Sequence, residues 1–396
     1  MHFPPLPLIV QFHVSSITSF PHLENILLAL RHHDRVRSIS VHGWGLGNVL
    51  VTRKMLMALD KAFPTLEALS LQSGNSYTTR GLPDNFAAPQ LRSLHLRNIA
   101  IPAASLLLTN ATNIISLQIE QFPPFGDLDP RNLVTLFLSL PQLESLSISF
   151  SFYPTPVATW EHAQITRVVL PRLWRFKYQG HIGDLEYLLA LINIPLLQYF
   201  YVVCFWEPTL SFTPMSEVVS AIQDLDFQTA EVSIHLKGVH IAFHSAQPSV
   251  SLPSFTFTLH SAHNRSELAP LVQICSAIPA LPSVHGLVLK SNQKICNENW
   301  YSILQLFAGV RTLRTDISLA ADLSNALRHD DGKVMKGLLP MLSELVVVSK
   351  DDLVDGPIVS FIHELCLIGH HIDLQVIKQP PPPNPHLHIL HNFPIF

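Results

Sequence analysis

The residues best suited to chemistry in this chain are its 22 histidines. They gather at His32/His33, His260/His263 and His370/His371, and again at His386, His388 and His391 near the end. Imidazoles this close in sequence could share a metal ion. Zinc, however, needs three or four ligands converging on a tetrahedron, and the sequence has neither HExxH nor a matched Cys/His set. Surface or partly buried histidines are therefore the expectation. The cysteines, Cys204, Cys275, Cys296 and Cys366, lie far apart without a CxxC pair. They read as free thiols, not as a disulfide framework or a zinc knuckle. "GWGLGNVLVTRK" (Gly43–Lys54) holds a GxG but not the full GxGxxG, and no GKS or GKT follows. A turn fits it better than a phosphate cradle. No GxSxG elbow occurs. The acidic pairs Asp330/Asp331 and Asp351/Asp352 read as solvated loop carboxylates. The expectation is a protein that is not an enzyme and has no cofactor.

Noncovalent recognition is better supplied. Polar residues alternate with leucines in a series of short segments: Ser38, Ser40 and His42; Ala68, Ser70 and Gln72; Ser93, His95 and Arg97; Ser116, Gln118 and Glu120; Ser145, Ser147 and Ser149. The series then changes character to Arg175, Lys177 and Gln179, followed by Tyr199 and Tyr201. Arginine and tyrosine are favoured at binding hot spots. Arg97, Glu120, Arg175, Lys177, Tyr199 and Tyr201 are accordingly the candidate residues for a protein partner.

These residues are positioned by a repeat. "LESLSI" (Leu143–Ile148) has the pattern L-x-x-L-x-L, which returns as "VRSISV", "LEALSL", "LRSLHL", "IISLQI", "LWRFKY", "LQYFYV", "VHGLVL" and "LSELVV". "VRTLRT" (Val310–Thr315) is degenerate in its last place, and "IDLQV" (Ile372–Val376) reads as the last copy. Most copies follow one another at 23 to 34 residues, the signature of leucine-rich repeats. The last two apolar residues alternate as a strand with one buried face requires. Pro64, Pro89, Pro141, Pro171, Pro195, Pro282 and Pro340 precede their segments by two residues, where proline would end a helix and start an extended stretch. Helical spacings fill the intervals, as in "NLVTLFLSL" and "DLEYLLALI". The fold class expected is α/β: an irregular leucine-rich-repeat solenoid, a horseshoe with parallel strands on its concave side and helices on its convex side. One unit cannot bury both its faces, but stacked neighbours can. Residues 1–20 read as an N-terminal extension or cap, 21–378 as the solenoid, and 379–396, "QPPPPNPHLHILHNFPIF", as a disordered proline-rich tail.

Bulk composition agrees. Of 396 residues, 47% are apolar and 14% charged, against about 25% charged in an average domain. The formal charge is −4, and "DRVR" and "TRVVLPRLWRFK" are too sparsely basic for a nucleic-acid track. "YLLALINIPLLQYFYVVCFW" (Tyr187–Trp206) is long enough to cross a bilayer, but Asn193, Pro195 and Gln198 break it. It reads instead as a buried helix, a proline turn and a buried strand. With no signal peptide at the start, the expectation is a cytoplasmic or nuclear protein that engages neither membrane nor nucleic acid.

The order of segments resembles the leucine-rich-repeat region of fungal F-box-like proteins, especially those of mushroom-forming fungi. The residues that carry the resemblance include "LALRHHDRVRSISV", "GLPDNFAAPQLRSLHL", "LPRLWRFKYQGHIGDLEYLLALINIPLL", "ENWYSILQLFAGVRTL" and "FIHELCLIGHHIDLQV". It implies the solenoid fold and substrate recruitment for an SCF-type ubiquitin ligase, with cullin-type ligase components as partners. Such proteins often begin with an F-box; here only "LPLIV" (Leu6–Val10) is similar to its start. A stand-alone interaction protein, or an F-box-less paralogue without a ligase link, is the alternative.

Overall fold

The computed structural model describes residues 6–13, 20–44, 49–73, 81–99, 105–120, 130–150, 167–206, 227–236, 238–245, 255–261, 269–276, 281–291, 297–317, 338–349, 356–367 and 371–378, with isolated positions between them. His263, His370, the tail and its histidines, Cys296, Asp330/Asp331, Asp351/Asp352 and the Gly45–Gly47 turn lie outside the described residues.

In chain order the strands are β1 (Leu8–His13), β2 (Val36–Trp44), β3 (Ala68–Ser73), β4 (Ser93–Arg97), β5 (Ser116–Glu120), β6 (Ser145–Ser149), β7 (Val168–Val169), β8 (Arg175–His181), β9 (Ile192–Asn193), β10 (Tyr199–Trp206), β11 (Phe227–His235), β12 (Gly238–Ser245), β13 (Phe255–Ser261), β14 (Gly286–Ser291), β15 (Thr312–Asp316), β16 (Glu344–Ser349) and β17 (Asp373–Lys378). The chain forms two compact units: Met1–Leu225 with Lys237–Ala242 and Ser249–Pro279, and Asp226–Leu236 with Phe243–Pro248 and Ala280–Phe396.

In the first unit the strands pair side by side in the order β1-β2-β3-β4-β5-β6-β8-β10-β13, every pair parallel. In the second the order is β11-β14-β15-β16-β17, again all parallel. Burial follows the sequence period. Leu143, Leu146 and Ile148 are buried while Ser145, Ser147 and Ser149 are partly open. In the degenerate copy the place of the last leucine is taken by a buried threonine, Thr315.

The prolines do something more specific than end helices. Strands β3, β4, β6, β8, β14 and β16 are each preceded by a tight turn whose first and fourth residues are both buried. Leu66 N donates to Phe63 O at 3.2 Å, Leu91 N to Ala88 O at 3.1 Å, Leu143 N to Leu140 O at 3.2 Å and Leu173 N to Leu170 O at 3.3 Å. In the second unit Val284 N donates to Leu281 O and Leu342 N to Leu339 O, both at 3.1 Å. Proline is the second residue of each turn, where its fixed φ suits the geometry and its missing N–H is not needed. Ala111–Ile114 and Phe307–Val310 make the same turn without proline, so the buried pair three apart is the more general signal.

Of the helices, α1 (Phe20–Arg31), α2 (Val49–Leu59), α3 (Leu106–Asn110), α4 (Pro130–Leu138) and α5 (Ile182–Leu191) belong to the first unit. Ala269–Ser276 adds another, and Asn297–Leu304 and Gly356–Leu367 lie in the second. Helix α5 packs on β8 and β10. With the turn at Pro195 and strand β10 it accounts for the apolar stretch Tyr187–Trp206. No helix among the described residues is long and apolar enough to cross a membrane.

One element has no counterpart in the repeat pattern. Strand β12 runs antiparallel to β13: Gly238 abuts Leu259 and His260, while His240 Nδ1 is 2.9 Å from Thr258 Oγ1. A side chain at 238 would put its Cβ 2.1 Å from the Leu259 carbonyl oxygen, which is why glycine stands there.

Candidate functional site

The first unit's sheet buries one face and leaves the other polar, and the ladder aligns that polar face in rows. One row runs Ser38, Ala68, Ser93, Ser116, Ser145, Arg175, Tyr199. The next runs Ser40, Ser70, His95, Gln118, Ser147, Lys177, Tyr201, Thr256. Neighbouring strands are about 4.8 Å apart. The three serines of β6 thus form a low strip about 10 Å wide between the longer side chains of β5 and β8.

On one side of the strip, Arg175, Lys177, Tyr199 and Tyr201 come together. The Arg175 guanidinium lies 5.0 Å from the Tyr199 ring centre. Lys177 Nζ is 5.8 Å from the Tyr199 ring and 5.6 Å from that of Tyr201. These are cation–π distances. Desolvation lowers the Lys177 pKa below its usual value and the Arg175 charge adds to this, while Glu120 pulls the other way. Burial raises the Tyr201 phenol, with Tyr199 adding to it. Among the described residues no carboxylate forms an ion pair with Arg175 or Lys177.

Across the strip Arg97 and Glu120 face each other, Nε to Oε2 at 3.7 Å. Gln118 donates to the same carboxylate, and His95 Nε2 stands 3.6 Å from Oε1. His95, Gln118 and Arg97 hold Glu120 below the usual carboxylate range, His95 most strongly and against the opposing effect of burial. Arg97 thus has a carboxylate partner on the next strand, whereas among the described residues Arg175 and Lys177 have none.

Ser70, His95 and Glu120 have the order of a hydrolytic relay. Ser70 Oγ is 3.3 Å and Gln72 Nε2 3.4 Å from His95 Nδ1. On the other side of the ring Nε2 faces Glu120. A relay also needs donors for a developing oxyanion. Ser70 is in the middle of a strand flanked by β2 and β4, where the backbone N–H groups are committed to the ladder. The arrangement therefore orients side chains but does not assemble an acyl-transfer site.

The phenylalanines beneath the cluster fix its platform. Phe176, Phe200 and Phe255 occupy matching places on β8, β10 and β13. Their rings stack at 5.6 Å and 5.3 Å. Beyond the cluster, Phe205 stacks on His260 at 5.4 Å and tilts towards His181 at 6.3 Å. The sequence did not point to this aromatic end, because nothing in it says that β13 lies beside β10.

Among the described residues no three His, Cys, Asp or Glu side chains converge as metal ligands. His33 packs edge-on against Phe63 at 6.1 Å. Cys204 and Cys275 are buried and Cys366 is exposed. Burial pushes both buried thiols up. Away from the polar face, Glu186 on α5 is buried, its Oε1 accepting from Met215 N at 3.4 Å and its Oε2 without a hydrogen-bond partner. Burial raises its pKa to about 8, Glu217 adds to the rise, and the Met215 amide opposes it.

No family model matches the chain, and no curated protein matches it. Among solved structures it is similar to LegL7, a leucine-rich-repeat-containing protein from Legionella pneumophila, at 14% identity and a TM-score of 0.30, the match covering 90% of each chain. The repeat assignment rests on the parallel ladder and its L-x-x-L-x-L burial rather than on that likeness.

Proposed function

We propose that this chain is a non-enzymatic recognition scaffold that holds a protein partner on the polar strand face of its first unit. The observation that carries this is the cluster of Arg175, Lys177, Tyr199 and Tyr201, brought into contact by the β8–β10 register. Strands paired on both sides fix the backbone, and the stacked phenylalanines fix the platform. The face then meets a partner with little ordering left to do, which favours binding. Large side chains that are half desolvated in the free protein are the kind that act as hot spots.

The resemblance to F-box-like repeat regions supports a finer role, recruitment of a substrate to an SCF-type ubiquitin ligase. Affinity capture of the full chain from its own cells, compared with the Arg175→Ala/Tyr201→Ala variant, tests both levels. A partner recovered with the wild type and lost with the folded variant supports the face as the interface. Equal recovery overturns it. Cullin and its adaptor among the proteins retained by both forms support the ligase role. A stable partner without them makes the chain a stand-alone scaffold.

A further inference from the structure

Resting on that reading of the face, we infer that the partner presents an acidic, extended segment whose carboxylates are received by Arg175 and Lys177 beside the serine strip of β6. Charge complementarity selects this occupant. The face carries two cations that no described carboxylate pairs, while its other cation, Arg97, already has Glu120 at 3.7 Å. Arg175 and Lys177 are two residues apart on one strand and project from the same face, about 6.6 Å apart along the backbone. One carboxylate can bridge them, or two can meet them singly. Tyr199 and Tyr201 back the cations on one side. Ser145 and Ser147, opposite them in register on β6, offer hydroxyl donors on the other. Guanidinium and ammonium on β8 with hydroxyls in register on β6 make a composite anion receptor, in which charge-assisted bonds are the strong ones.

The mutual repulsion of the two cations supports this further. Desolvation and, after it, the Arg175 charge both lower the Lys177 pKa, and an arriving anion offsets them. A polynucleotide is the less fitting polyanion, because it would need a row of basic residues, and among the described residues this face has two without a carboxylate partner. The serine strip runs along β6 beside the Arg175–Lys177 pair, so an extended chain lying on it can present its carboxylates to both cations.

The test measures fluorescence anisotropy of labelled decaglutamate, decaglutamine and decathymidylate on the full chain, at ~50 mM and ~300 mM salt. The expected result is decaglutamate bound at least tenfold more tightly than decaglutamine, with the preference weakened at the higher salt. Arg175→Gln/Lys177→Gln should lose at least tenfold for decaglutamate. Arg92→Gln/Arg172→Gln removes the same charge from exposed positions of the same unit and should lose less than threefold. No preference for decaglutamate, equal losses in the two double variants, or tighter binding of decathymidylate would overturn the inference. Should the Ala variant above lose its captured partner while decaglutamate is not preferred, the face is an interface and the acidic class is wrong. Should the Gln variant lose decaglutamate while the captured partner is retained by the Ala variant, the anion receptor stands and the partner binds elsewhere.

Discussion

Arg175 and Tyr199 occupy opposed positions on β8 and β10, and the guanidinium lies 5.0 Å from the ring centre. A cross-strand pair of this kind couples the cation's orientation to the register of the ladder. The coupling is measurable. In a double-mutant cycle with Arg175→Ala and Tyr199→Leu, read by chemical denaturation, the interaction energy should be about 0.5–1 kcal/mol, typical of an exposed cation–π pair. An interaction energy of zero would mean that the two side chains are merely adjacent.

Phe200 is the middle ring of the stack that carries this pair. Phe200→Ala should destabilise the first unit by about 3–5 kcal/mol, as for other buried phenylalanines. Phe200→Leu keeps much of the apolar volume and should cost clearly less. Near-UV circular dichroism should change with the alanine variant even at temperatures where it remains folded, because the rings on either side lose their stacking partner.

Two glycines make a matched contrast. At Gly309 an added Cβ would lie 2.0 Å from the Pro282 carbonyl oxygen, whereas at Gly356 it would meet nothing within 4 Å. Gly309→Ala should lower the melting temperature, with a cost of more than about 1 kcal/mol because backbone must move to make room. Gly356→Ala should leave stability unchanged or raise it slightly. Equal effects at the two positions would contradict the close approach of the two turns.

Glu186 gives the chain a pH dependence of definite sign. Its folded-state pKa is raised from 4.5 to about 8. Between those values the folded form keeps a proton that the unfolded chain has released. The stabilisation is therefore complete below about pH 4.5 and is lost progressively up to about pH 8. A shift of this size corresponds to a few kcal/mol, on the order of 1.4 kcal/mol per pH unit. Glu186→Gln should flatten the fall in stability measured by urea denaturation between pH 5 and 8, both about the limits of that window. The variant should be more stable than the wild type at the alkaline end, and an unchanged slope would assign the pH dependence to other groups.

Most of the strand positions are legible in the sequence because a period-two burial pattern leaves a local trace. Leu143, Leu146 and Ile148 reveal β6 without reference to any other strand, and Arg175, Lys177, Tyr199 and Tyr201 can be put on one face by alternation alone. The proline turns are legible as punctuation. Their closing bond is legible only when the buried partners, such as Leu140 and Leu143, are seen to be three apart. What cannot be read locally is strand order. Nothing in "FTFTLHS" says that it pairs with β10 rather than with the strand before it, so neither Thr256 nor His260 could be placed beside the Arg175–Tyr201 cluster. The contrast between Arg97, paired with Glu120, and Lys177, which has no carboxylate partner among the described residues, also depends on which side chains the register brings together.

The β10–β13 pairing has a consequence for the order in which the chain is made. In the order β1-β2-β3-β4-β5-β6-β8-β10 each strand can be laid on one already synthesised, so a nascent chain can add repeats as they emerge. Strand β10 ends at Trp206 and its next neighbour begins at Phe255, about 49 residues later. At a translation rate of 5–20 residues per second this is a wait of roughly 2–10 s. Through that interval the edge of "YFYVVCFW" has no partner strand, and an unpaired apolar edge is a template for association with other chains. Slower translation over this stretch would lengthen the exposure of that edge, whatever the stability of the finished protein.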